Sequence, residues 1–84
     1  MSLTERLAKA INREFPNQLI ARMLDQEFAI ILPPAPGEYD ALIKDIDSIV
    51  HDQFEGHIRD VEYAVVEDYG YMTVRARPET ARIR

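Results

Sequence analysis

Chemistry-bearing side chains are sparse in this sequence, and most gather at one place. Leu24-Asp25-Gln26-Glu27 is a short polar break between two apolar runs, and Phe28 follows it. Such a break reads as a tight turn, which displays two or three polar groups at the tip of a rigid scaffold, where binding groups are usually carried. A solvated hairpin tip is the simpler account of Asp25 and Glu27. The second cluster is His51 with Asp47 four residues earlier, a conceivable two-ligand metal face on a helix. It has no evident third ligand, and a solvated or charge-pairing His51 is the simpler reading. The chain has no cysteine and only three glycines. A thiolate zinc site and a phosphate-cradling glycine loop are therefore excluded, and no Ser-His-Asp arrangement stands in motif context.

The elements that must position the turn follow from periodicity. Leu19, Ile20 and Met23 precede it, and Phe28, Ile30 and Leu32 follow on alternate positions, which predicts a hairpin over about 18–32 with one buried face. Upstream, Leu3, Leu7, Ala8, Ile11 and Phe15 fall at helical spacing, opposite Glu5, Arg6, Lys9 and Arg13. Ser2 with Glu5 forms a capping-box pattern, and Pro16-Asn17 stops the helix. Pro33-Pro34-Ala35-Pro36-Gly37 ends the hairpin, because proline cannot donate to a ladder. A second helix over 38–54 carries Tyr39, Leu42, Ile43, Ile46, Ile49, Val50 and Phe54 on one stripe, with Asp45, Asp47 and Asp52 facing water. Gly56 stops it. Residues 58–66 and 71–76 alternate as two further strands around Glu67-Asp68-Tyr69-Gly70, where glycine can take a positive φ. Tyr63, Tyr69 and Tyr71 gather there, as an exposed aromatic patch or as cross-strand packing. The order α-β-β-α-β-β predicts an α+β fold, a two-layer sandwich with both helices on one face of an antiparallel sheet.

Ala21-Arg22-Met23-Leu24-Asp25-Gln26-Glu27-Phe28-Ala29-Ile30-Ile31-Leu32-Pro33 resembles the signature hairpin of GGDEF domains, the diguanylate cyclases. In that family an Ala-Arg-aliphatic strand runs into Gly-Gly-Asp/Glu-Glu-Phe, and an apolar strand then ends in Leu-Pro. The resemblance covers residues 3 to about 66, including the flanking helices and the turn Glu55-Gly56-His57-Ile58, and it is to a degenerate member. Leu24 and Asp25 stand where the glycines admit the nucleotide, adding bulk and a negative charge beside a triphosphate. Gln26 stands at the position of the carboxylate that helps activate the attacking hydroxyl, and it cannot act as a base. Glu27 matches the metal-binding position and is a candidate Mg²⁺ ligand. Its expected aspartate partner would come from a first strand and helix that this sequence does not contain. The product-inhibition Arg-x-x-Asp would fall on Phe15 and Gln18, which cannot serve. The resemblance thus implies roughly the back half of such a domain, without catalytic residues, without a cofactor (Mg²⁺ with GTP is disfavoured), and with its central strand missing. An uncovered strand edge would favour a homodimer or larger assembly.

Composition narrows the classes further. Eighty-four residues suit one small domain, or a fragment of one, and 46% hydrophobic residues suit a packed core. Ten basic against fifteen acidic residues give a net charge of −5, which argues against a nucleic-acid partner. Arg75, Arg77, Arg82 and Arg84 make the end of the chain basic, in the manner of a solvated, fraying terminus. No apolar run approaches the roughly 20 residues of a membrane span, and no signal peptide is visible, so a cytoplasmic location is expected. Two functions fit: a catalytically inactive GGDEF-like regulatory or dimerisation module, working with the other domains of a bacterial cyclic-di-GMP signalling protein, or a small free-standing α+β interaction domain with no nucleotide role.

Overall fold

The first helix, α1 (Leu3–Glu14), begins with a complete capping box. The Glu5 backbone N–H donates to Ser2 Oγ at 3.1 Å and the Ser2 N–H donates to Glu5 Oε1 at 3.1 Å, so two otherwise orphan donors are satisfied. Leu7, Ala10 and Ile11 carry its buried face, and Phe15 caps it, one residue earlier than the apolar spacing predicts. The computed structural model describes residues 2–17, 20–24 and 27–79, without the side chains of Ile20, Met23 and Leu24. Gln18, Leu19, Asp25, Gln26 and the terminal arginines Arg82 and Arg84 lie outside the described residues.

Strands β1 (Ile20–Leu24) and β2 (Glu27–Ile31) form the expected hairpin, joined across the two positions 25 and 26. Their register pairs Ala21 with Ala29 and Leu24 with Glu27, with a bulge between Arg22 and Leu24. Leu24 and Glu27 are therefore strand residues rather than turn residues. After the proline segment a 3₁₀ turn, Pro36–Glu38, leads into α2 (Tyr39–Phe54), and Gly56 at φ 85° makes the turn out of it. Strand β3 (Ile58–Val66) and strand β4 (Tyr71–Pro78) close the chain, joined through a 3₁₀ turn and Gly70 at φ 76°, a left-handed conformation that suits glycine.

The sheet order is β1-β2-β4-β3, antiparallel throughout. The last strand is thus an inner one, bonded to β2 on one side and β3 on the other. This is the β-α-β-β-α-β topology with its first strand moved to the end of the chain. It corrects the expectation of a missing central strand: β4 occupies that place. Arg75 and Arg77 also leave the supposed fraying terminus, since β4 extends to Pro78 and holds both in register with β3. The Glu79 N–H donates to the His57 carbonyl at 2.9 Å, fixing the end of the strand.

Alternation along the strands puts one apolar set beneath both helices. Phe28 and Ile30 of β2 and Met72, Val74 and Ala76 of β4 meet Leu7, Ala10 and Ile11 of α1 and Leu42, Ile46, Ile49 and Phe54 of α2 in a single core. Thr4, not foreseen from the apolar pattern, is also buried in the first turn of α1. Ile46 is fully buried at the centre of α2's stripe. Ile46→Ala is expected to remove about 2–5 kcal/mol of stability through lost transfer energy and a residual cavity, against a total of about 5–10 kcal/mol for a domain of this size. Urea unfolding followed by circular dichroism should show the midpoint falling steeply or the transition disappearing.

Candidate functional site

The hairpin places Phe28 and Glu27 on opposite faces of the sheet. Phe28 is fully buried and belongs to the core. Glu27 is half-buried on the face that carries no helix, directly across from Arg75 of β4. Arg75 is in turn opposite Glu62 of β3, so one row across the open face reads Glu27, Arg75, Glu62. Asp60 and Arg77 are paired on the same face, nearer the end of β4. Opposed unlike charges at such positions stabilise a sheet by about 0.2–1 kcal/mol per pair.

The strongest of these contacts is between Arg77 and Asp60. Arg77 Nε donates to Asp60 Oδ1 at 2.6 Å, Arg77 Nη1 lies 3.8 Å from Glu62 Oε2, and Arg59 Nε lies 3.6 Å from Asp60 Oδ2. The hydrogen bond from Arg77 holds the Asp60 carboxyl below the ordinary aspartate range, and the same bond pushes Arg77 upward. The hairpin end of the open face is thus a lattice of alternating charges.

This arrangement bears on Glu27 as a metal ligand. A divalent cation there would have to share its surroundings with Arg75, a permanent positive charge on the adjacent strand. Among the described residues no three His, Asp or Glu side chains converge on a point that could hold a metal ion. Leu24 takes part in the hairpin through its backbone pairing with Glu27, and Asp25 and Gln26 lie outside the described residues.

The other sequence candidates separate in space. Asp47 accepts a 2.6 Å hydrogen bond from the Tyr63 hydroxyl, tying α2 to β3. Burial, reinforced by that bond, pushes the Tyr63 hydroxyl's pKa upward. His51 turns instead to Asp52, at 3.3 Å. Asp47 and His51 therefore have different partners. The three tyrosines do not form one patch. Tyr63 sits across from Val74 on the helix side, Tyr71 across from Val66 on the open face, and Tyr69 is 80% exposed in the turn. Phe15 is half-buried beside an open groove of about 530 Å³ between the end of α1 and the start of α2, lined by Pro33, Pro34 and Leu42 with Glu14 and Asp45. That groove lies at the far end of the sheet from the hairpin, because the Leu32 N–H after β2 bonds to the Gly70 carbonyl.

The placement of Arg75 and Arg77 beside the hairpin was missed by sequence reasoning, which assigned them to a solvated terminus. Their signal was present: Asp60 and Glu62 mirror Arg77 and Arg75 about the Glu67–Gly70 turn. Compared with known proteins, the chain matches no family model, no curated protein and no solved structure. No helix among the described residues is long and apolar enough to cross a membrane.

Because Asp60 titrates below the unfolded aspartate value of about 3.9, its contribution is present at neutral pH and disappears as pH falls through its lowered folded range. Asp60→Asn is expected to be less stable than the parent protein at pH 7. The difference should shrink as pH falls below the ordinary aspartate range, as read from urea midpoints at pH 7 and along an acid series.

Proposed function

We propose that this chain is a catalytically inactive GGDEF-like module, with a regulatory or dimerisation role in a bacterial cyclic-di-GMP signalling protein. The hairpin supports the likeness: β1 and β2 span the resembling residues, and Phe28 is in the core. The observation that carries the inactive reading is Arg75 opposite Glu27. On the strand beside the hairpin, where the family resemblance implies an aspartate to share the metal, this chain offers two arginines. A metal-bridged triphosphate needs converging carboxylates there to hold the cation. Gln26 removes the general base as well.

A second reading has its own support. Strand β4 fills the centre of the sheet, so the described residues form a closed core without an upstream strand. That favours a small α+β interaction domain with no nucleotide role. Both readings share a non-catalytic module that acts through association.

Titration calorimetry with GTP and Mg²⁺, repeated on Arg75→Asp, tests the proposal. No saturable heat is expected from the parent protein. Weak binding gained in the variant would support descent from a nucleotide site. Saturable binding by the parent protein would overturn the expectation that Arg75 excludes the metal-bound nucleotide, and its conversion of GTP to a cyclic dinucleotide would overturn the inactive reading.

A further inference from the structure

The sheet has two edges, and they are guarded unequally. Strand β1 is five residues long and interrupted by the Arg22–Leu24 bulge, which twists an edge away from pairing. Strand β3 is nine residues long, contains neither proline nor lysine, and is irregular only at its start, between Ile58 and Asp60. Its regular part, residues 60–66, pairs with β4 on one side and has no strand partner on the other among the described residues. Along this edge runs an apolar margin. Val61 and Tyr63 are half-buried and Val65 is 44% exposed, all on the helix side of the sheet. The bond from Tyr63 to Asp47 brings α2 alongside, with half-buried Ile43 and Val50 within one turn of Asp47.

We infer that β3 pairs antiparallel with β3 of a second copy, across a two-fold axis through Tyr63, to make one continuous eight-stranded sheet. This rests on the reading of the chain as a non-catalytic association module, and it names the partner and the surface.

Symmetry and charge select the register. A two-fold axis relating two antiparallel edge strands stands normal to the sheet, so facing residues share a face and the axis must pass through a residue position. An axis at Glu62 would set that carboxylate against its own copy, and one at Val61 would set Asp60 against Glu62. An axis at Ala64 would leave only residues 62–66 in register. The axis at Tyr63 uses all seven residues from 60 to 66, whose midpoint it is. It sets Val61 against the partner's Val65, Glu62 against the partner's Ala64, and Tyr63 against its copy, with no like charges opposed. It covers Val65 and keeps the helices of both copies on one side. Seven residues a side make a small interface, below the standard of about 800 Å² per partner, so a weak dimer in the range of about 1–100 μM is expected.

Sedimentation equilibrium of the whole chain over a wide concentration range, with two substitutions at the exposed Ala64, tests this. Ala64→Glu opposes a carboxylate to Glu62 of the partner twice per dimer, and should raise the dissociation constant about tenfold. Ala64→Lys should leave it unchanged or lower it. Because the chain has no cysteine, Glu62→Cys combined with Ala64→Cys should give a covalent dimer on mild oxidation, while neither substitution alone does. A protein monomeric at every concentration overturns the proposal, and a dimer indifferent to the charge at position 64 overturns its register. GTP binding is measured separately, so loss of the dimer leaves the inactive reading standing, and GTP turnover overturns that reading whatever the oligomeric state.

Discussion

Insertion of β4 between β2 and β3 is the constraint on which the other features depend. Without it the hairpin β1-β2 and the strand β3 would be separate edges, and neither helix would have a continuous surface to cover. With it, Met72, Val74 and Ala76 join Phe28 and Ile30 as one apolar floor, and α1 and α2 share it. The pairing of β2 with β4 links residues forty or more positions apart, so its loop-closure entropy is borne by the whole domain. That makes folding cooperative, because the central strand has no stable place until both of its neighbours are present. The two glycines at positive φ, Gly56 and Gly70, set the turns that return the chain to this place.

The same insertion decides what the hairpin can do. A strand entering the centre from upstream could bring any residue to the hairpin end. Here the strand arrives from β3, and it brings Arg75 and Arg77. Arg77 bonds to Asp60 and lies near Glu62, while Arg75 stands in register between Glu27 and Glu62 on the open face. A divalent ion at Glu27 would have to tolerate the permanent positive charge of Arg75 on the adjacent strand. The hairpin end of this face carries the charged row, Ile31 is its exposed apolar residue toward the Gly70 end, and Val65 is exposed on the helix side at the β3 edge.

Strand β3 serves the fold on one side and carries the proposed pairing on the other. Tyr63 serves the fold from the helix side by bonding to Asp47, and its raised pKa reflects burial in that position. The remainder of the strand contributes to the core only by half, which leaves a long regular edge beside a stable sheet. Asp60 and Glu62 on one face against Val61, Tyr63 and Val65 on the other would give a pairing at that edge a definite register, since a slip by one residue would exchange the faces.

Local matters were legible in the sequence. The helical spacing of Leu7 and Ile11, the stripe from Leu42 to Phe54, the alternation of Phe28, Ile30 and Leu32, the Ser2–Glu5 box and the breaks at Pro33–Gly37, Gly56 and Gly70 are short-range patterns, and backbone propensity with burial reads them directly. What lay beyond the sequence was strand order. Periodicity tells which face of a strand is buried but carries no information about which neighbour it takes, so the basic end of β4 resembled a fraying tail and the tyrosines read equally as one patch or as cross-strand packing. Only the tertiary structure, by placing β4 at the centre, set Arg75 across from Glu27, sent Tyr63 and Tyr71 to opposite faces, and left β3 as the open edge. Element identity is a local balance of propensity and burial. Strand adjacency is a global choice made by the core that all the strands must share.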